Sequence, residues 1–167
     1  MSAKGTRATD ELRRAGIAHE VREYVPPERH GRGRDERPNY GLEAAAALGV
    51  DPDRIFKTLV ATVDDRLTVA IVPVGAEVDL KRLADALEAR RAVMADPAAA
   101  ERATGYVIGG ISPLAQRRRL PTVLDASVLD HPTILVSAGR RGLQVELAAA
   151  DLARLTGAVI APIARRA

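Results

Sequence analysis

Apolar residues in this 167-residue chain recur with two different periods, and each period predicts a different kind of element. Leu80, Leu83, Ala84 and Leu87 follow the i, i+3, i+4, i+7 spacing of a helix that buries one face. The spacing therefore predicts an amphipathic helix over residues 79–91.

Two neighbouring runs are instead almost continuously apolar. Residues 55–63 and 67–74 are rich in β-branched side chains, which favour the pleated surface of a sheet, and we predict both runs as buried strands. The short connection at Asp64-Asp65 predicts that they form a hairpin in the middle of the domain.

Capping and turn residues delimit the remaining elements. Thr9 or Asp10 is expected to cap the first helix, and Gly49 is expected to close the second. We predict helices at residues 9–14, 41–49, 96–103 and 151–155, and strands at residues 19–24, 121–125, 133–139, 143–148 and 158–163. Strands in adjacent pairs with helices between them predict an α+β fold, a mixed and largely antiparallel β-sheet with flanking helices.

The chain is expected to form a single domain. No internal repeat or linker divides residues 1–167, and a chain of this length buries roughly 70% of its unfolded surface. Residues 25–39 have no periodicity and are dense in proline, glycine and charge, which predicts a mobile surface loop.

Composition limits how this protein can bind its partners. Only four residues are aromatic, Tyr24, Tyr40, Phe56 and Tyr106, so the core must be aliphatic, and base stacking on exposed rings is disfavoured. The net charge of +3 and a pI near 9.7 permit an anionic partner. If the chain binds RNA, we expect contacts to phosphates and shape rather than to stacked bases.

Several classes of site are disfavoured. The chain has no cysteine, and no apolar run approaches the roughly 20 residues of a membrane span, so a soluble cytoplasmic protein without membrane contact is expected. His19, His30 and His131 lack a metal-binding spacing, and no phosphate-binding or dinucleotide fingerprint occurs, so no metal or cofactor is expected. Ser112 and Ser137 lack an obvious relay, although distant residues could assemble one.

Residues 104–121 are predicted to form a binding loop. Gly109-Gly110 lets the backbone take positive φ and brings its N–H groups close to a ligand, and Pro113 fixes the chain beside them. Arg117, Arg118 and Arg119 follow with no acidic residue nearby, as expected of a loop that meets a polyanion. The alternative is an ordinary Gly/Pro connection with a solvated basic end, and only the combination of features favours the binding loop.

Lys57 is the second candidate. It lies within the predicted buried strand at residues 55–63, where an ammonium is unfavourable unless it faces a cleft or a partner. The alternative is a lysine that points outward from a half-buried strand.

Several separated motifs, in order, resemble the YbaK family of free-standing aminoacyl-tRNA deacylases, relatives of the editing domain inserted in many prolyl-tRNA synthetases. The resemblance is carried by Phe56-Lys57-Thr58-Leu59, Asp79-Leu80-Lys81, Met94-Ala95-Asp96, Thr104-Gly105-Tyr106, Gly109-Gly110-Ile111-Ser112-Pro113-Leu114 and the stretch from Val136 to Leu143. It implies hydrolysis of the ester that joins a wrong amino acid, typically cysteine, to the 3′ end of proline tRNA.

The resemblance also implies roles for individual residues. Lys57 takes the role of the family's essential lysine, and no protein nucleophile is needed because the cysteinyl thiol attacks its own ester. Lys57 would orient the acceptor end or polarise the ester, and glycine N–H groups would stabilise the oxyanion. The implied substrate-binding residues are Tyr24, Gly109, Gly110, Ile111, Ser112 and Pro113. Thr58 and Ser137 are further candidates as hydroxyls that line the pocket, and the alternative for each is a structural hydroxyl on a strand.

The implied partners are the acceptor end of a mischarged tRNA and prolyl-tRNA synthetase, with no DNA. Arg117, Arg118, Arg119, Arg140 and Arg141 are the predicted phosphate contacts. Two features depart from the family pattern: Ala115 replaces a usual glycine, and the basic loop between Pro26 and Pro38 is longer than is typical. Two alternatives stay open, a deacylase for another substrate such as Ala-tRNA(Pro) and a binding module without turnover.

Overall fold

A computed structural model describes residues 5–26 and 39–166. Five helices occur in these residues: α1 (Arg7–Arg14), α2 (Tyr40–Leu48), α3 (Leu80–Ala86), α4 (Pro97–Thr104) and α5 (Ala149–Thr156). The strands are β1 (His19–Glu23), β2 (Phe56–Val63), β3 (Arg66–Pro73), β4 (Glu77–Val78), β5 (Ala92–Met94), β6 (Thr122–Asp125), β7 (Thr133–Arg140), β8 (Leu143–Ala148), β9 (Val159–Ala161) and β10 (Ala164–Arg165). A 3-10 helix at Ala126–Asp130 was not predicted.

The strands form one mixed and two smaller antiparallel sheets. The five-stranded sheet has the order β5-β2-β3-β6-β9, with β2 antiparallel to β3 and β5 but β6 parallel to β3 and β9. The other sheets have the orders β1-β8-β7 and β10-β4. The predicted α+β class and both predicted hairpins are confirmed.

A short parallel contact joins the two larger sheets. Ile55 forms a bridge with Leu135, and the Leu135 N–H donates to the Arg54 carbonyl at 2.9 Å. The start of β2 therefore lies beside β7, and the residues that follow the bridge on these two strands are neighbours.

The core is aliphatic, as predicted. Between the sheets, Phe56 packs among aliphatic side chains such as Ile71, Val136 and Val145. The opposite face of the five-stranded sheet buries Val72 against Leu83 of α3 and other apolar residues. Helix α2 covers a third cluster, in which Ala44 and Ala45 pack with Ile55, Val74 and Leu135.

Capping residues in the sequence predicted the end of α2 correctly but the start of α1 incorrectly. Gly49 closes α2 at φ +64°, as predicted, but α1 is capped by Thr6 rather than Thr9 or Asp10. Thr6 and Thr9 exchange side-chain and backbone hydrogen bonds in a capping box, which satisfies two donors at the helix start.

The predicted helix at residues 79–91 is too long. Helix α3 ends at Ala86, Glu88 takes a φ of +55°, and Ala92–Met94 pairs with β2 as an edge strand. The Asp64 carboxylate accepts the N–H groups of Arg90 and Arg91, and β5 pairs with β2 directly after them. These tertiary contacts override the local helix propensity of the segment after Glu88.

The predicted strand at residues 158–163 is shorter in the structure, where β9 ends at Ala161 and a separate strand, β10, begins at Ala164. The carboxylate of Asp125 accepts the N–H groups of Ile163 and Ala164 at 2.9 and 2.8 Å, which holds the chain between the two strands. Most of the predicted loop at residues 25–39 lies outside the described residues, as does His30. Among the residues described, every helix is too short or too polar to span a lipid bilayer.

Candidate active site

Lys57 lies on the face of β2 that is directed away from the main core. It is opposite Val72 of β3, which belongs to the cluster under α3, whereas its neighbour Phe56 points into the core between the sheets. Lys57 is partly buried, and this burial lowers the pKa of its ammonium, while the charge of Glu77 raises it. The side chain is therefore a half-buried cation.

Ser137 of β7 shares this face. Its neighbours Val136 and Ala138 point into the core, so Ser137 points the other way. Lys57 and Ser137 each follow the Ile55–Leu135 bridge by two residues on parallel strands. The two side chains therefore lie on one face of neighbouring strands.

Thr58 does not share that face. It is opposite Ile71 of the main core, it is 9% exposed, and its Oγ1 has no hydrogen-bond partner among the described residues. Because side chains alternate along a strand, Thr58 and Lys57 point to opposite sides of the sheet. The geometry argues against Thr58 as a pocket hydroxyl.

Residues between α4 and β6 form neither helix nor strand, as predicted for the binding loop. Gly109 has a φ of +94°, and a Cβ at this position would lie 3.1 Å from the Tyr40 ring. A Cβ on Gly110 would lie 2.7 Å from the Cα of Arg140. The glycine pair therefore allows the loop to pack closely against α2 and the β7–β8 turn.

The expected role of Gly110 as an oxyanion donor needs correction. Its φ is not positive, and its N–H already donates to the Val107 carbonyl at 2.9 Å. Its backbone donor is thus used inside the loop.

Three neighbouring N–H groups of the loop have no partner among the described residues. They are those of Gly109, Ile111 and Ser112. Ser112 is 0% exposed, so its N–H is shielded from any ligand, whereas Gly109 is partly exposed and Ile111 is 8% exposed. The N–H groups of Gly109 and Ile111 are therefore the candidates for binding an oxyanion.

The side chains of the loop face inward. Ile111, Ser112 and Pro113 are all buried, and the Ser112 Oγ accepts the Leu114 N–H at 3.2 Å. Ser112 is completely buried, and any contact of Ile111 with a substrate would come from its main chain.

Two tyrosines flank the site. Tyr24 donates its N–H to the Gly142 carbonyl at 3.0 Å and packs beside the cluster of Ile55 and Leu135. Tyr40, at the start of α2, contacts Gly109, and the Arg141 guanidinium lies 5.1 Å from its ring centroid. Tyr40 was not predicted as a site residue.

Gln144 was also missed. It is opposite Ser137 on β8, it is 8% exposed, and its Oε1 has no hydrogen-bond partner among the described residues. Its alternation with Leu143 and Val145 of the main core places it on the Ser137 face. Only the β7–β8 register brings Gln144 beside Ser137, so a linear motif could not reveal it.

The predicted phosphate contacts fall into two groups. Arg140 and Arg141 lie at the turn beside Gly110, where Arg140 is 3.6 Å from Glu23 and Arg141 is 2.9 Å from Glu43.

Arg117, Arg118 and Arg119 lie on another part of the loop. The N–H groups of Arg117 and Arg118 donate to the last carbonyls of α4, and the Arg119 guanidinium would be 3.0 Å from a Cβ on Gly157. Arg118 and Arg119 also line a cleft of about 100 Å³ with Glu11, Pro113 and Thr156. Lys57 is not part of this cleft, so the two groups of arginines do not form one surface around it.

No set of three or more His, Cys, Asp or Glu side chains within the described ranges could hold a metal ion. The candidate site is thus a half-buried ammonium, a serine hydroxyl, an amide and a loop with available N–H groups. Such a set can bind an ester and stabilise negative charge on its carbonyl oxygen.

Comparisons with known proteins agree on one family. The model of the aminoacyl-tRNA editing domain matches residues 40–155. EbsC of Enterococcus faecalis, named as a Cys-tRNA(Pro)/Cys-tRNA(Cys) deacylase, is 40% identical over 121 residues, covering 71% of this chain and 73% of EbsC. A proline–tRNA ligase of Moorella thermoacetica is 35% identical over 100 residues, covering 60% of this chain and 17% of the ligase.

Solved structures share the fold. A protein described as a trans-editing enzyme for prolyl-tRNA synthetase has a TM-score of 0.81 at 24% identity, over 99% of both chains. A hypothetical protein has the same TM-score, 0.81, at 20% identity over 96% of this chain and 100% of its own. The sequence match to the family model covers most of the chain and includes Lys57, the binding loop and Ser137. The chain belongs to the aminoacyl-tRNA editing domain family.

Proposed function

We propose that this protein is a trans-editing hydrolase that cleaves the aminoacyl ester of mischarged tRNA, with Cys-tRNA(Pro) as its principal substrate. The observation that carries the proposal is the position of Lys57 and Ser137 on one face of neighbouring strands, two residues after the Ile55–Leu135 bridge. The binding loop packs against Arg140, at the end of the strand that holds Ser137, which supports its part in the same site. The name of EbsC supports the choice of substrate.

The chemistry needs no nucleophile from the protein. The cysteinyl sulfur attacks its own ester carbonyl, a C–S bond forms, the C–O bond to the tRNA breaks, and the thiol proton ends on the departing 3′ oxygen. Negative charge develops on the carbonyl oxygen during the attack. The N–H groups of Gly109 and Ile111 stabilise that charge, a contribution of about 3 to 4 kcal/mol for a well-placed donor.

Lys57 acts as a cation in this scheme. Its half-buried ammonium attracts the anionic acceptor end and holds the ester beside the loop, and the low-dielectric surroundings strengthen the attraction. Ser137 and Gln144, which pair across β7 and β8, are the proposed hydrogen-bond partners of the aminoacyl group. Tyr24, which packs against the cluster of Ile55 and Leu135, is the proposed wall of the pocket. Thr58 has no part in the scheme because it faces the core.

A deacylation panel tests the proposal. Cys-tRNA(Pro), Cys-tRNA(Cys) and Ala-tRNA(Pro) are incubated with the protein, and ester loss is followed for each substrate. We expect the fastest loss from Cys-tRNA(Pro) and much slower loss from Ala-tRNA(Pro), which has no thiol. Equal rates for the cysteinyl and alanyl substrates would refute the thiol as nucleophile. Ester loss no faster than background for every substrate would refute the claim that the protein is a deacylase.

Prolyl-tRNA synthetase is the proposed partner. A domain of this size has little surface with which to identify a whole tRNA, and the matched region in Moorella is part of a proline–tRNA ligase. We expect the synthetase to supply tRNA selectivity in the cytoplasm, where charging occurs. Discrimination among tRNAs that does not change when the synthetase is added would contradict this role.

A binding module without turnover is the competing function. Arg140 and Arg141, and separately the run from Arg117 to Arg119, would then hold tRNA phosphates. Phosphate contacts make affinity fall steeply with added salt. Salt-sensitive tRNA binding without ester loss would favour this alternative over the enzyme.

A further inference from the structure

Helix α1 lies outside the residues that the family model matches, yet it contacts the binding loop directly. The Arg7 guanidinium donates to the Thr104 carbonyl at 3.3 Å and to the Gly105 carbonyl at 3.1 Å. It also lies 4.8 Å from the centroid of the Tyr106 ring. Arg7 therefore contacts three consecutive residues at the start of the loop.

Tyr106 connects the start of the loop to its far side. Its hydroxyl donates to the Leu114 carbonyl at 2.6 Å, which closes the segment that contains the Gly109 and Ile111 N–H groups. Its ring is only 6% exposed and packs against the end of β7, where a Cβ on Gly139 would be 3.0 Å from the ring. One side chain thus fixes the width of the loop and its distance from the strand of Ser137.

The hydroxyl can donate this hydrogen bond across the neutral pH range. Burial raises the pKa of Tyr106, and the charge of Arg7 lowers it, with a net increase. The donor is therefore protonated wherever the enzyme would operate.

Helix α1 also holds the neighbouring strand. The Thr6 hydroxyl donates to the Ala138 carbonyl at 2.5 Å, next to Ser137. Arg7 forms no ion pair among the described residues, so its guanidinium is committed to the ring and to the two carbonyls. The N-cap and first residue of α1 thus contact both the loop and β7.

We propose that Arg7 and Tyr106 are positioning residues for the deacylation, which together hold the N–H groups of Gly109 and Ile111 at a fixed distance from β7. The catalytic consequence of this inference rests on the proposed function. The contacts of Arg7 and Tyr106 with the loop and with β7, which we call the brace, are a property of the fold. Donors that stabilise a transition state must be held in place before the charge develops.

Kinetics with Cys-tRNA(Pro) test the catalytic consequence. Arg7→Ala and Tyr106→Phe should each lower kcat by about tenfold with little change in KM, because the loss is confined to the transition state. Arg14→Ala is the control, since Arg14 lies on the same helix, is exposed and makes no side-chain hydrogen bond or ion pair with the described residues. It should leave both constants unchanged.

A double variant tests whether the two residues act together. Because both act through one loop, Arg7→Ala combined with Tyr106→Phe should lose much less than the product of the two single losses. Multiplicative losses, or single variants with wild-type kcat, would overturn the proposal.

Amide hydrogen exchange tests the brace independently of the deacylation activity. In Arg7→Ala, the Gly110 and Leu114 amides, which are bonded within the loop, should exchange at least about tenfold faster, while amides of β2 and β3 keep their rates. Unchanged loop exchange would refute the brace whatever the activity. Faster loop exchange in a protein whose wild type shows no deacylation would support the brace and refute the proposed function.

Discussion

Lys57 shows how far a single residue can be interpreted from its neighbours in the sequence. Its position in an apolar, β-branched run showed that the ammonium needed a cleft or a partner, and the structure places it half-buried beside Glu77. Sequence left open the side to which the residue points. The pairing of Lys57 with Val72 determines that side.

Burial of Lys57 makes a prediction about stability and pH. Burial lowers the pKa of the ammonium in the folded state below its usual 10.5, so the folded protein binds this proton less strongly than the unfolded chain does. Lys57→Met should therefore raise the melting temperature at neutral pH, by roughly 2 to 4 °C.

The pH dependence gives the sign of the effect. As pH rises through the folded pKa towards 10.5, wild type loses the charged form first in the folded state and gains stability relative to the variant. The difference in melting temperature should shrink between neutral and alkaline pH. Thermal melts of both proteins across this range check the trend, and a constant difference would contradict it.

Ala115 was identified from the sequence as a departure from the family's glycine, and its backbone shows the physical consequence. Its φ is +53°, a left-handed conformation that is unfavourable for a residue with a Cβ by roughly 1 kcal/mol. Ala115→Gly should raise the free energy of unfolding by about 0.5 to 1 kcal/mol, measured by urea denaturation.

Ala46 provides the matched control for this substitution. It is an exposed residue within α2, and Ala46→Gly should lower the free energy of unfolding by about 0.5 to 1 kcal/mol. If Ala115→Gly destabilises the protein as much as Ala46→Gly does, strain at Ala115 is not significant.

At the scale of elements, the position of the binding loop depends on its packing against the β7–β8 turn. Gly110→Ala would place a Cβ 2.7 Å from the Cα of Arg140, and backbone on both sides leaves little room for relaxation. We expect the free energy of unfolding to fall by about 1 to 3 kcal/mol and deacylation to slow by about tenfold, because the loop must move off the turn.

Gly75→Ala is the steric control for Gly110→Ala. Neither glycine has a positive φ, and a Cβ on Gly75 would meet only Pro52, at the ordinary contact distance of 3.8 Å. It should leave stability and activity close to wild type. Equal stability and activity for Gly110→Ala and wild type would show that the close approach has no effect.

The elements that sequence predicted well are those with strong local signals. The two central hairpins, α2 with its Gly49 stop and α4 after Asp96 all match, because periodicity and capping residues agree there. Helix α3 was predicted too long and β5 was missed, because pairing with the edge of β2 competes with helix formation in this segment. Such competition depends on β2, which lies about thirty residues away, and local patterns do not contain it.

At the scale of the whole molecule, the candidate site could be predicted only in part. Contiguous motifs identified Lys57 and the loop from Gly109 to Pro113. Tyr40 and Gln144 were missed because long-range contacts bring them to the site: Tyr40 packs on Gly109, and strand register sets Gln144 beside Ser137. Thr58 was grouped with Lys57 by the motif, but alternation along β2 separates the two side chains.

The central claim is that one face of the β2–β7 junction, with the ammonium of Lys57, cleaves an aminoacyl ester. The most direct test is single-turnover deacylation of Cys-tRNA(Pro) by wild type, Lys57→Ala and Lys81→Ala, where Lys81 is an exposed lysine of α3. We predict that Lys57→Ala slows ester loss at least about 100-fold while Lys81→Ala keeps the wild-type rate. A Lys57→Ala variant that deacylates at the wild-type rate would contradict the account.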